Sequence, residues 1–76
     1  MLVYVRTLTG HKLQVDLTEE FTFGTLKEWI SEKEGIETSQ IRLIYAGHLY
    51  PDTSKVIDTK ISAGGTIHMV LSLRGG

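Results

Sequence analysis

One segment of the chain, residues 22–35, carries the signals of an α-helix with a defined beginning and end. Three apolar residues recur at the spacing that lines one helix face: Phe23, Leu26 and Ile30. Thr22 can accept a hydrogen bond as the N-cap, and Gly35 stands where a left-handed C-terminal cap belongs. We therefore predict one helix that ends near Glu34.

Segments on both sides of this helix alternate apolar and polar residues with the period of two that is typical of β-strands. The apolar positions of the first two segments are Met1, Val3 and Val5, then Leu13, Val15 and Leu17. Between them, Gly10 suits a three-residue hairpin loop that needs a left-handed residue. Further strands are expected at 41–45, 48–50 and 67–72, with a turn near 56–59. One twisted sheet over one helix, an α+β fold, is the compact solution.

The composition narrows the classes of function. The chain has 76 residues, no cysteine and a formal net charge of -1. Thiolate metal sites and cysteine nucleophiles are excluded, and the three histidines lack the spacing of metal ligands. The charge argues against binding to nucleic acid or to an anionic membrane, and no stretch is long enough to span a bilayer. We expect protein partners, no cofactor, no metal and an intracellular address.

Four stretches in the same order resemble the ubiquitin family: TLTG at 7–10, KEGI at 33–36, RLIYAG at 42–47 and TIHMVLSLRGG at 66–76. The resemblance runs from end to end without a gap. It implies the β-grasp fold, with a mixed sheet on one helix, in a domain at 1–72 followed by a flexible conjugation tail at 73–76. Several positions resemble the related-to-ubiquitin (Rub, or neddylation) branch: Leu2, Tyr45, Gly64, Gly65 and Ser72.

The family resemblance implies a protein modifier that is a substrate of enzymes and not itself an enzyme. The carboxylate of Gly76 would be activated with ATP, passed to a cysteine of a partner and bonded to a lysine of a target protein. Gly75 and Gly76 lack side chains, so they suit entry into a narrow catalytic channel. Arg74 would supply a steering charge and Leu73 an apolar anchor.

Strand alternation and the resemblance together predict a binding patch. Four residues are directed to the solvent side of the third and last strands: Arg42, Ile44, His68 and Val70. Leu8, at the tip of the first hairpin, would complete the family's recognition patch. Single exposed aliphatic residues are ordinary on protein surfaces, but the resemblance favours a binding role. A second family contact surface would comprise Ile36, Leu71 and Leu73.

Two further roles follow from the resemblance. Ser72 occupies the position that helps activating enzymes choose, where ubiquitin carries arginine and the Rub type a small residue. Among the family's usual acceptor positions for chain formation, only Lys27 and Lys33 remain lysines. Lys27 is expected to form a partly buried ion pair with Asp52 instead.

The partners implied are activating, conjugating and ligase enzymes, lysines of target proteins, ubiquitin-binding-type domains and proteases, for a monomer in the cytoplasm and nucleus. Three alternatives stay open. A sulfur carrier of the same fold explains the tail but not the patch. A non-covalent binding module explains the patch but not the tail. A diverged or engineered ubiquitin variant would keep the core and tail with a rewritten surface.

Overall fold

The computed structural model describes residues 1–72. Its elements are β1 (Leu2–Arg6), β2 (Lys12–Asp16), α1 (Phe23–Glu34), a 3₁₀ helix (Thr38–Gln40), β3 (Ile41–Tyr45), β4 (His48–Leu49), a second 3₁₀ helix (Val56–Thr59) and β5 (Thr66–Leu71). The five strands form one mixed sheet in the order β2-β1-β5-β3-β4. The predicted α+β fold is confirmed.

The first hairpin has the predicted three-residue loop. Gly10 adopts a left-handed φ of 88°. The backbone N–H of Thr7 donates to the carbonyl of His11 at 2.9 Å, which closes the loop. The Thr7 hydroxyl, in a residue only 6% exposed, accepts the N–H of His11 at 3.1 Å. The loop therefore satisfies its own buried polar group.

Local capping signals explain the bounds of α1. The N–H of Thr25 donates to the Thr22 hydroxyl at 3.1 Å, so Thr22 is the N-cap. Gly35 has a φ of 70° and donates its N–H to the carbonyl of Ser31 at 2.9 Å. Both ends of the helix lie where the sequence predicts them.

The core lies between α1 and the inner face of the sheet. Its buried apolar residues are Val3, Val5, Val15, Leu17, Phe23, Leu26, Ile30, Ile41, Leu43, Val56, Ile61, Ile67 and Met69. The β1 and β5 strands pair in parallel at the centre, with Val5 opposite Ile67. The other strand pairs are antiparallel. Because inner positions alternate with outer ones, the same pairing also defines the outer face of the sheet.

A tight turn joins β3 to β4. Ala46 and Gly47 both have positive φ, 54° and 79°, which is the signature of a two-residue type I′ hairpin loop. The fourth strand ends at Leu49 and the fifth at Leu71, each one residue earlier than the sequence pattern suggests. The predicted turn near 56–59 is a 3₁₀ helix, whereas the 3₁₀ helix before β3 is not predicted.

Candidate functional site

The outer face of β3 and β5 brings four of the predicted patch residues side by side. Arg42 lies opposite Val70, and Ile44 lies opposite His68, in alternate pairs of the antiparallel ladder. The pair between them, Leu43 and Met69, is buried in the core, so these four side chains share the opposite face. The strand register alone therefore assembles this part of the patch.

Burial of the patch residues is uneven. Arg42 and His68 are exposed, and Leu8 is 65% exposed. Ile44 and Val70 are half-buried, although strand alternation directs both side chains to the solvent side. Directly opposite side chains on neighbouring strands stand about 4.5–5.5 Å apart at Cβ, so each covers part of the next. The aliphatic side chains are therefore partly screened before any partner binds.

The loop of the first hairpin extends Leu8 toward the end of the sheet where Val70 lies. Arg6, the last residue of β1, pairs with His68. Because β1 and β5 are parallel, the chain after Arg6 continues past His68 in the direction of Val70. Leu8 thus extends from the hairpin next to the strand that carries two other patch residues.

One exposed apolar residue on this face is missing from the sequence prediction. Leu49 is 57% exposed and lies directly opposite Ile44. A strand of two residues has no alternation from which to infer a face. The turn could have revealed it, because a two-residue loop at Ala46 and Gly47 places Ile44 and Leu49 opposite each other.

The two candidate acceptor lysines have different surroundings. The Nζ of Lys27 lies 2.7 Å from Oδ1 of Asp52, and the Lys27 side chain is 17% exposed. The predicted ion pair is therefore confirmed. Lys33 is exposed, and its Nζ lies 5.6 Å from the ring centroid of Trp29. Of the two amines, that of Lys33 is the more open to a reactive partner.

The structure describes the chain up to Ser72, the residue before the predicted conjugation tail. This residue is half-buried, although the strand pattern predicts an outward position, and its N–H donates to the carbonyl of Gln40 at 2.7 Å. Ile36 and Leu71 are half-buried and pack against the core. The remaining predicted residues lie outside the described residues: Leu73, Arg74, Gly75 and Gly76.

Two other features bear on function. In residues 1–72, the side chains of histidine, aspartate and glutamate form no group of three or more that could hold a metal ion. The same part of the chain contains no helix long and apolar enough to cross a membrane.

Comparison with known proteins identifies the family. The sequence model of the ubiquitin family matches residues 3–74 of this chain. The chain belongs to the ubiquitin family. Its β-grasp fold is therefore shared by descent, and it is a ubiquitin-like protein modifier and not an enzyme.

The relatives of this ubiquitin-family chain include Rub-type proteins, and the similarity to them extends over their whole length. It is 45% identical to the NEDD8-like protein RUB1 of Saccharomyces cerevisiae and 41% identical to the ubiquitin-like protein NEDD8 of Dictyostelium discoideum. It is 42% identical to ubiquitin-like protein 1 of Schizosaccharomyces pombe. Each match covers 100% of this chain and 97–99% of the relative. The similarity thus spans sheet, helix and tail alike.

Proposed function

We propose that this ubiquitin-family chain is attached through the carboxylate of Gly76 to lysines of target proteins by the activating, conjugating and ligase enzymes of a Rub-type cascade. The observation that carries the proposal is full-length similarity to relatives whose names place them in the NEDD8 and RUB1 group. The closing sequence LRGG at 73–76 supports it, because it supplies the residues that such chemistry needs.

The chemistry requires one substitution at the α-phosphorus of ATP and then two at the carbonyl carbon of Gly76. The carboxylate of Gly76 attacks ATP, which forms an acyl adenylate and releases pyrophosphate. A cysteine thiolate of a partner enzyme then displaces AMP, since this chain has no cysteine of its own. Finally a lysine amine displaces the thiolate and forms the isopeptide bond. Gly75 and Gly76 suit all three steps because a backbone without Cβ admits close approach of a partner.

We propose that the side chain of Ser72 determines which activating enzyme accepts this chain. An arginine here could form charge-assisted hydrogen bonds with carboxylates of an enzyme, whereas a serine hydroxyl brings no charge. The hydrogen bond from the Ser72 N–H to Gln40 holds the start of the tail against the domain. The residue therefore stands at a defined position from which an enzyme can read its side chain.

We assign recognition by binding domains and proteases to the patch of Leu8, Ile44, His68 and Val70, with Arg42 at its edge. Its support is the register that places Ile44 next to His68 and Val70 next to Arg42. A small apolar centre with a polar rim is the usual anatomy of such interfaces. The second surface, with Ile36 and Leu71, is a proposed contact of the same kind, and Lys33 a proposed acceptor. A monomer acting in the cytoplasm and nucleus fits this role.

Charging assays test the proposal. The protein is incubated with ATP and a Rub-type activating enzyme, and products are resolved on non-reducing gels and by intact mass. We expect a thioester that reducing agents cleave. Deletion of Gly76 should abolish the thioester and leave the melting temperature unchanged, because the core lies within residues 3–69. A truncated chain that still charges the enzyme would refute the role of Gly76.

The same assay separates the alternatives. A sulfur carrier would yield a terminal thiocarboxylate with a sulfur-transfer enzyme and no isopeptide adduct. A purely non-covalent module would give no adduct with any activating enzyme. A diverged ubiquitin would be charged by the ubiquitin-activating enzyme in preference to the Rub-type one.

A further inference from the structure

The sheet has a free edge at β2, which pairs with β1 on one side and with no other strand among residues 1–72. At the hairpin end, the N–H of Thr7 donates to the carbonyl of His11 at 2.9 Å. Pairs bonded in this way recur at every second position of an antiparallel ladder, so the odd-numbered residues of β2 bond to β1. The N–H and C=O groups of Lys12, Gln14 and Asp16 therefore point away from the sheet.

The other end of the ladder follows the same pattern. The N–H of Leu17 donates to the carbonyl of Met1 at 2.8 Å, so the alternation continues along the whole of β2. Within the described part of the chain, the outward backbone groups of Lys12, Gln14 and Asp16 have no backbone partner. A row of unpaired N–H and C=O groups on an edge strand is a template for pairing with another strand.

The charged side chains of β2 leave this edge open. The Nζ of Lys12 lies 4.5 Å from the ring centroid of Tyr4, on the neighbouring strand. Oδ1 of Asp16 lies 3.0 Å from the N-terminal nitrogen of Met1, next to the same strand. Both side chains therefore lean toward β1 and not across the edge. The helix leaves the edge open as well, because the main backbone contacts of α1 are with β3 and the first 3₁₀ helix, in the other half of the molecule.

The three residues with outward backbone groups are complementary in charge to a second copy of themselves. Lys12 and Asp16 lie symmetrically on either side of Gln14. In an antiparallel pair centred on Gln14, Lys12 of each copy lies opposite Asp16 of the other, and the two Gln14 side chains lie opposite each other. Opposite charges at directly opposed positions stabilise a strand pair. The hydrogen bonds and both ion pairs are therefore formed in the same register.

Other registers lose these contacts. Parallel pairing in register would place Lys12 opposite Lys12 and Asp16 opposite Asp16 of the second copy, and like charges at opposed positions are destabilising. An antiparallel shift by one residue would set outer side chains against inner ones. An antiparallel shift by two residues would separate both ion pairs. The charge pattern thus selects the arrangement centred on Gln14.

Charges beyond the strand reinforce this direction. The turn after β2 carries the exposed acids Glu19 and Glu20, whereas the hairpin end carries the exposed cations of Lys12 and Arg6, which pair with each other across β1 and β2. Antiparallel pairing of two copies brings the acidic end of one edge to the basic end of the other. The long-range charges therefore favour the same arrangement as the directly opposed ones.

We propose that the β2 edge binds a second copy of this chain in antiparallel fashion, with Gln14 at the two-fold axis, so that the two sheets form one continuous sheet. Three residues of each copy form the centre of the contact, and such a small interface is weak and transient. The free chain is therefore a monomer in dilute solution. Two copies attached close together on one target would reach the millimolar effective concentrations at which weak contacts form. The recognition patch stays open, because β3 and β4 lie at the opposite side of the sheet from β2.

Association of the free chain is measured first. Backbone amide shifts and amide hydrogen exchange are recorded as the protein concentration rises from micromolar to millimolar, with sedimentation equilibrium on the same samples. We expect the amides of Lys12, Gln14 and Asp16 to shift and to exchange more slowly as the average mass increases. A mass that stays that of a monomer at millimolar concentration, or shifts confined to β3 and β5, would overturn the proposal.

Charge reversals at the two ends of the strand test the register. Lys12→Asp and Asp16→Lys each replace two pairs of opposite charge by two pairs of like charge, so each should weaken association about tenfold. Lys60→Asp and Glu32→Lys make the same changes in net charge at exposed residues outside β2, and they should leave association unchanged. Equal effects of edge and control substitutions would mean that net charge, and not the β2 edge, governs association. Melting curves show that each variant is folded.

A mixture of the two edge variants provides the decisive measurement. The Lys12→Asp chain has acids at positions 12 and 16, and the Asp16→Lys chain has lysines at both. In a mixed pair every acid again lies opposite a lysine, so we expect the mixture to associate although neither variant does so alone. The double exchange of Lys12→Asp with Asp16→Lys in one chain should likewise restore self-association. No recovery in the mixture or in the double exchange would overturn the antiparallel register.

This inference and the proposed function can fail separately. Association is measured on the free chain without ATP or enzymes, so it does not depend on conjugation. Charging of the Lys12→Asp and Asp16→Lys variants by the activating enzyme tests the tail, and a loss of charging with unchanged association would place the β2 edge in enzyme recognition and overturn its role as a contact between copies.

Discussion

The Nζ of Lys27, on the helix, lies 2.7 Å from Oδ1 of Asp52, in the segment that follows β4. The pair is asymmetric, because the Lys27 side chain is 17% exposed and the Asp52 side chain 62%. Close by, the N–H of Gly24 donates to the backbone carbonyl of Asp52 at 3.0 Å. Asp52 thus joins the first two turns of the helix to the β4 segment through both its side chain and its backbone.

Loss of the Asp52 carboxylate should destabilise the fold. Asp52→Asn leaves the half-buried Lys27 without its anionic partner, and we expect the free energy of unfolding to fall by about 1 kcal/mol, the upper range for an ion pair with one exposed member. Chemical denaturation measures this change. Asp58→Asn is the control, since Asp58 is exposed and has no ion-pair partner among residues 1–72; an equal loss in both variants would contradict a role for the pair.

Ile44→Ala should affect binding more than folding. A central anchor of an interface can contribute roughly 2 kcal/mol, so affinity for a helical ubiquitin-binding module should fall about thirtyfold. Because Ile44 is half-buried on the outer face, we expect a smaller loss of stability, about 1 kcal/mol. Calorimetric titration and a melt on the same protein measure both quantities.

The adjacent residue supplies the control for Ile44. Leu43 is 1% exposed and faces the core, so Leu43→Ala should cost about 2–5 kcal/mol of stability. A variant at Ile44 that resembled this one, with a large loss of stability and unchanged affinity, would mean that Ile44 acts as a core residue.

Ser72→Arg should shift the choice of activating enzyme toward that of ubiquitin. A charge-assisted contact contributes about 1.5–3 kcal/mol, which corresponds to a change in charging efficiency on the order of ten- to a hundredfold. The fold should tolerate the change, because the hydrogen bond to Gln40 uses the backbone of residue 72. Competitive charging with both enzymes provides the measurement. Equal charging of the two proteins by the ubiquitin enzyme would favour a diverged ubiquitin.

Ala46→Asn should stabilise the β3–β4 hairpin. Ala46 has a φ of 54°, a left-handed conformation that asparagine adopts at lower cost than alanine. With Gly47 it would form the Asn-Gly pair that type I′ loops prefer, and we expect a gain of about 0.5–1 kcal/mol. Thermal unfolding detects this gain. Ala63→Asn, at an exposed alanine without a positive φ, should have no effect, and a gain of similar size there would point to a general effect of asparagine.

Features set by neighbouring residues could be predicted from the sequence. Thr22 and Gly35 define the helix because capping depends on hydrogen bonds within four residues. Gly10 defines the first hairpin for the same reason. Alternation also assigns Ile44 and Val70 to the outer face, which the structure confirms by their pairing with His68 and Arg42.

Features that depend on distant parts of the chain could not be predicted in this way. The half-burial of Ile44 arises from side chains on the strands at either side, which local alternation does not count. The strand order depends on pairing of β1 with β5, about sixty residues apart in sequence. The 3₁₀ helix at Thr38–Gln40 has no periodicity to reveal it. The position of Leu49 is different, because the two-residue turn is enough to place it opposite Ile44.

The parallel pairing of β1 and β5 has a mechanical consequence. A force that pulls the start of β1 away from the end of β5 acts along the strands, so it shears their hydrogen bonds together and does not open them one at a time. An antiparallel hairpin such as β1–β2, pulled at its open end, would instead unzip. A pulling force applied through Ser72 is therefore resisted by the strand pair at the centre of the sheet, where Val5 and Ile67 are fully buried. The strand pair that closes the fold also acts as its clamp against extension.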